Sequence, residues 1–160
     1  MAITFRENPA SYMRGRRVNA EEWNGISRTF ETGSNAQLPF GVPAVAGTGS
    51  RGCVALTAAA QNVLGITETN QVLPRPGDYY IQYDTVAICE VGVIAVATGT
   101  DPVAKGAQAR FDVTNGVWTD AAASATVLTI PGAFFEDAIA ANSVGPLRYR
   151  RPQPSLSAAT

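Results

Sequence analysis

The chain has 160 residues, the size of one ordinary domain, with no His, two Cys, one Lys, eleven Arg and only 16% charged residues, against roughly 25% in an average soluble domain. Without imidazole there is no Ser-His-Asp triad, Cys-His dyad or His-ligated metal, and two cysteines cannot build a four-thiolate zinc site. A formal charge of −1 excludes a bulk nucleic-acid binder.

In chain order, residues 1–26 come first and show no sustained period. Pro9, Gly15 and Gly25 punctuate them, yet Ile3, Phe5, Tyr12, Met13, Val18 and Trp23 are too apolar for a disordered tail. They are expected to form an extended arm that orders against another surface. From residue 27 the pattern becomes short apolar runs between Gly, Pro, Asn and Asp, which predicts strands near 27–31, 42–46, 53–57, 63–67, 81–86, 89–97, 109–113, 127–130 and 144–149. The run Val91-Gly92-Val93-Ile94-Ala95-Val96-Ala97 has no polar alternation and reads as a strand buried on both faces, Gly92 marking a bulge or close approach. Asn115-Gly116 predicts a hairpin with a type I′ turn. Residues 57–61 and 134–141 are the two places where a helical turn or two fits. The expected fold is all-β: a small β-sandwich or barrel, jelly-roll-like, over residues 27–151, with the arm at 1–26 and a tail at 152–160.

No stretch is continuously apolar over about 20 residues, and the N-terminal MAITFRENPASYMRGRR has neither an apolar h-region nor a small-residue cleavage pattern. The expectation is a protein made in a reducing cytosol, with no membrane partner. Its charge is unevenly spread. Residues 1–30 carry five Arg against three Glu, a charge of +2. Residues 31–144 carry four basic and ten acidic residues, a charge of −6, and residues 145–160 carry three Arg and no acid. An acidic body with basic ends suggests interaction tails.

Several motifs have plain structural explanations. Gly47-Thr48-Gly49-Ser50-Arg51-Gly52 matches the dinucleotide fingerprint G-x-G-x-x-G and Glu68 lies 21 residues past Gly47, but no crossover helix or βαβ alternation accompanies it, so a hairpin tip is expected. Cys53 and Cys89 lie in apolar runs and read as core residues, with a disulfide as the alternative. The Tyr79-Tyr80-Ile81-Gln82-Tyr83 cluster is either cross-strand packing or a binding face. The body's acids are scattered, with Glu136-Asp137 the only adjacent pair. No catalytic residue, metal ligand or cofactor site emerges.

A series of short motifs follows in order: Ser27-Arg28-Thr29-Phe30-Glu31, Leu38-Pro39-Phe40-Gly41-Val42-Pro43-Ala44-Val45, Val63-Leu64-Gly65-Ile66-Thr67, the run 86–96, Asp101-Pro102-Val103 with Gly106-Ala107, and Ile130-Pro131-Gly132-Ala133-Phe134-Phe135. In this order they resemble the strand grammar of the structural cement (capsid decoration) proteins of tailed bacteriophages. The resemblance spans about residues 27–150. It implies a non-enzymatic protein on the outer capsid surface of the virion, made in the bacterial host cytoplasm. Its expected partners are the major capsid protein and itself, as a homodimer or homotrimer. Charge and apolarity nominate Phe5, Arg6, Tyr12, Arg14, Arg16, Arg17 and Trp23 as capsid contacts in the arm, with Arg148, Arg150 and Arg151 as a second patch. A virion-displayed module binding glycan or host surface is the alternative, with the tyrosine cluster as stacking face.

Overall fold

A computed structural model describes residues 12–19, 22–31, 37–70 and 77–152. Among the described residues there is no helix, and eleven strands follow one another: β1 (Asn24–Phe30), β2 (Gln37–Pro39), β3 (Pro43–Ala46), β4 (Gly52–Ala55), β5 (Val63–Thr67), β6 (Tyr79–Ile81), β7 (Thr85–Ala97), β8 (Gln108–Asp112), β9 (Val117–Thr119), β10 (Val127–Phe135) and β11 (Val144–Arg150). The architecture is all-β and barrel-like.

The 13-residue β7 organises the rest. Its first half pairs with β1 and β5, and its second half with β11 from Val91 to Ala97. The nine-stranded sheet runs β1-β4-β3-β5-β7-β11-β10-β8-β9, and β1 also pairs with β7. Strands β1, β4, β3, β5 and β7 therefore close a circuit, which removes free edges as barrels do. A second circuit leaves β7 through β11, β10, β8 and β9 and returns by a bridge between Thr98 and Trp118. One strand thus serves both circuits. That explains its unbroken hydrophobicity: Val93, Ile94, Ala95 and Val96 are all buried.

The core draws on both circuits. Phe30, Leu38, Ile66, Tyr80 and Ile88 are fully buried on one side of the chain's course, and Trp118, Ile130, Phe135, Leu147 and Tyr149 on the other. Trp118 donates its indole N–H to the Gly41 carbonyl at 2.8 Å and meets Phe111 edge-to-face at 5.4 Å. Burying an indole is favourable only with such a partner for its N–H. Cys53 and Cys89 are free, buried thiols, as their apolar runs suggested. Burial raises their pKa to about 11 and about 12.

Strand positions follow the sequence pattern closely, and the departures have local causes. The expected strand 81–86 is split. The Asp84 carboxylate accepts the Ile81 N–H at 2.8 Å, and the Asp84 N–H returns to the Ile81 carbonyl at 3.0 Å, closing a turn between β6 and β7. The expected strand 53–57 stops at Ala55, because the N–H groups of Thr57 and Ala58 turn to the Gln61 side-chain oxygen. The Asn-Gly hairpin forms, but with the four-residue loop 113–116 rather than a type I′ turn. Only Gly116 there has positive φ, at +67°, and the Asp112 carboxylate accepts from the N–H groups of Thr114 and Asn115. Residues 134–141 form no helical turn. Instead β10 continues through Pro131 and Gly132 to Phe135. The Gln108 amide donates to the carbonyls of Ile130 and Ala133, satisfying the backbone where β10 and β8 lose register.

Residues 12–18 are hydrogen-bonded to this frame. Gly15 N–H donates to the Ala95 carbonyl at 2.7 Å, Ala95 N–H to the Arg16 carbonyl at 2.9 Å, and Val18 N–H to the Val93 carbonyl at 3.0 Å. The Gly15 carbonyl accepts from Thr69 N–H at 2.7 Å. Gly15 sits at φ +76°, and a Cβ there would lie 2.7 Å from the Phe40 Cβ and 2.9 Å from the Thr69 nitrogen, so glycine is required.

Candidate interaction surface

The arm's described residues divide by what holds them. Trp23 is half-buried, and its ring lies on Gly92, where a Cβ would stand 2.3 Å from the indole. The close approach expected at Gly92 is therefore made by Trp23. The Arg17 guanidinium stacks over that ring at 4.8 Å and donates from Nε to the Asn19 carbonyl at 2.8 Å. Arg14 reaches the tip of the β8–β9 hairpin and donates to the Gly116 carbonyl at 3.0 Å. Its Nε is buried and meets no acceptor. Burial lowers the Arg14 pKa, against the pull of Asp78. Arg16 is exposed, and its guanidinium donates to the Met13 sulfur at 3.9 Å. Tyr12 is half-buried. Phe5 and Arg6 lie outside the described residues.

The three C-terminal arginines are engaged within the chain. Arg148 pairs with Glu136, and Arg150 with Glu22. Arg151 meets Glu90 at 2.6 Å, and the other Glu90 oxygen accepts from Asn24 Nδ2 at 3.2 Å. So Glu22 and Asn24, at the inner end of the arm, are stapled to the end of β11 and to β7. The Arg150–Glu22 pair is more than 60% exposed on both sides, and such pairs stabilise by at most about 1 kcal/mol.

The glycine-rich loop at 47–52 is the tip of the β3–β4 hairpin, and it does bind an anionic oxygen pair: the chain's own. The Glu31 carboxylate accepts from Thr48 N–H at 2.8 Å, Gly49 N–H at 2.9 Å and Thr48 Oγ1 at 3.1 Å. Cβ atoms at Gly47, Gly49 and Gly52 would stand 2.3, 2.5 and 1.9 Å from its oxygens. The glycines are thus explained by close approach of a carboxylate to backbone, the same physics that suits phosphate loops. These donors hold Glu31 below the ordinary carboxylate range.

The tyrosine cluster separates. Tyr80 is fully buried, packs edge-to-face on Phe40 at 5.0 Å and donates its hydroxyl to the Glu68 carbonyl at 2.7 Å. Ile81 and Tyr83 face solvent, Tyr83 being 77% exposed. Among the described residues no three of His, Cys, Asp and Glu come together as metal ligands, and no helix is long and apolar enough to cross a membrane.

A closed β body, with an N-terminal segment laced to it and charged residues concentrated along that seam, is a scaffold for surface contact. Sequence comparison gives it a family. The model of the family described as "Structural cement protein (E217 gp24/Pam3 gp6)" matches residues 1–150, and the chain belongs to that phage structural cement family. Its role is accordingly structural, in the phage capsid, as the strand grammar implied. Among solved structures, the fold is similar to a chain of "The capsid of Myoviridae Phage XM1", at 17% identity and TM-score 0.69, covering 94% of this chain and 98% of that one. No curated protein matches.

Proposed function

We propose that this protein docks on the outer surface of the mature phage head and bridges neighbouring major capsid protein subunits, so that it stabilises the expanded, DNA-filled shell. The observation that carries this reading is the family match across residues 1–150. A cement acts by mass action: whatever binds the expanded lattice better than its precursor shifts the equilibrium toward it. That needs contact area, roughly 1,600 Å² for a standard interface, and no chemistry. Self-association as a dimer or trimer on a lattice axis multiplies weak contacts.

The parts then divide. Phe5, Arg6, Tyr12, Arg16 and Arg17 supply apolar anchors and bidentate donors for capsid carboxylates. Arg14 and Trp23 act by holding the arm in place, since their side chains are turned onto the body. Arg148, Arg150 and Arg151 form a second patch whose ion pairs with Glu136, Glu22 and Glu90 exchange for capsid carboxylates on docking.

The test is decoration of expanded, cement-free heads by the purified chain, with copy number read by quantitative mass spectrometry. Hundreds of copies per head and a raised capsid melting temperature are expected. A dozen or fewer copies would instead mark a component of a single vertex and overturn the reading.

A further inference from the structure

The loop that cradles Glu31 borders a depression that the cement role leaves unused. Glu31, Thr48, Gln61, Gln82 and Tyr83 line it. Glu31 is kept ionised by the Thr48 and Gly49 donors, yet none of the ion pairs of the described residues includes it. A carboxylate is normally accompanied by a cation or left in open water. Here it is fixed in position by backbone, its orientation already settled before any partner arrives.

Tyr83 is the second half of the arrangement. It is the most exposed large apolar residue of the described chain, and its backbone is held at φ +69°. Such a conformation is costly for a non-glycine residue, and Gly or Asn is the usual occupant. The turn is also fastened to β1. Tyr83 N–H donates to the Phe30 carbonyl at 2.8 Å, and Phe30 N–H to the Asp84 carbonyl at 2.9 Å. The strained tyrosine is therefore anchored one residue from Glu31. Nothing in the body's packing needs a ring at this place, since it lies in solvent.

An oriented, ionised carboxylate beside an exposed aromatic ring matches the recognition chemistry of guanidinium. The carboxylate accepts a charge-assisted hydrogen bond, and the ring offers a face for cation–π stacking. Lysine fits less well, because its ammonium is a strongly hydrated point charge without a planar face. We infer that this depression is a receptor for an arginine side chain presented by the capsid shell. The acidic body, at −6 over residues 31–144, favours a basic partner there, opposite in sign to the contacts made by the arm. The identity of the partner rests on the proposed function, but recognition of guanidinium does not.

Two experiments separate these. The 15N-labelled full chain is titrated with a tetra-arginine peptide, and with tetralysine as control. Saturable shifts at the Thr48 and Gly49 amides and at Tyr83 are expected, weaker for tetralysine and lost in Tyr83→Gly. No saturable shift at these residues with either peptide overturns the receptor. Tyr83→Gly also decorates cement-free expanded heads about tenfold more weakly than the native chain, while its melting temperature is unchanged or higher, because glycine accepts φ +69°. Tyr83→Phe keeps the ring and retains decoration. Equal decoration by Tyr83→Gly and the native chain overturns the capsid partner. Peptide binding by a native chain that fails to decorate heads would leave the receptor standing and refute the cement reading. If Tyr83→Gly instead breaks up an oligomer of the free chain, the occupant is a second copy and the shell assignment falls.

Discussion

Glu31 shows how a single carboxylate can determine a loop. Its two oxygens occupy the space that Cβ atoms would take at Gly47, Gly49 and Gly52. Because Thr48 and Gly49 depress its pKa in the folded state, its stabilising contribution is full above the unfolded carboxylate range and is lost as pH falls through the lower folded value. Glu68 has the opposite sign. Burial raises its pKa, so its ionisation opposes folding, and that penalty fades as pH falls from the raised value toward the ordinary one. In urea unfolding at a series of pH values, Glu31→Gln is therefore expected to lose less stability in acid than the native chain. Identical pH slopes would mean that the loop does not depend on the charge. The buried thiols provide a second check at this scale. With pKa values near 11 and 12, Cys53 and Cys89 should be silent to a thiol reagent at pH 8 in the folded protein and both react once it is unfolded.

Among the elements, β7 carries the greatest demand, since it closes two circuits and receives the arm. Gly92 is where this demand concentrates. Gly92→Ala drives a methyl group into the Trp23 ring and is expected to cost about 1–3 kcal/mol. Red-shifted tryptophan emission should accompany the lower unfolding midpoint as Trp23 leaves its place. Gln108 matters for a different reason: its amide donates to the carbonyls of Ile130 and Ala133 where β10 and β8 lose register. Gln108→Ala should cost about 1–3 kcal/mol in chemical denaturation, whereas Gln108→Glu, which cannot donate from its ionised form, should cost more at pH 7 than at pH 3.

For the molecule as a whole, two deletions separate anchoring of the N-terminal segment from capsid contact. Residues 12–18 share backbone hydrogen bonds with Val93, Ala95 and Thr69. Deleting them removes the bonds that hold the Val93 and Ala95 backbone groups of β7. Deleting residues 1–11 removes Phe5 and Arg6 and leaves these bonds intact. The shorter deletion is expected to keep the native melting temperature and to weaken decoration of heads. The longer one, through residue 23, should lower the melting temperature as well. Arg16→Glu is the cleaner probe of arm electrostatics, because Arg16 is exposed while Arg14 is tied to the Gly116 carbonyl. It should weaken decoration and flatten its dependence on salt. Arg14→Glu should also lower the unfolding midpoint, which makes any loss of binding ambiguous on its own.

The sequence by itself determined the β class, most strand positions, the Asn-Gly hairpin, the buried cysteines and the family. These follow from local pattern: apolar runs of strand length, turn residues between them and short Gly/Pro motifs in a fixed order. It also showed an uneven charge, but not where each charge goes. Arg14 and Arg16 are two residues apart and chemically identical, yet one is turned onto Gly116, 102 residues away, and the other faces solvent. Gly15 reads as punctuation, and its role as the arm's closest approach to the body requires Phe40 and Thr69 beside it. The 47–52 loop displays its affinity for an anion in its glycines, but that the anion is Glu31 depends on β1 running beside β4. Tertiary structure decided these matters because ion pairs, close approaches and closed circuits join residues far apart in the chain, and a one-dimensional pattern records spacing rather than contact.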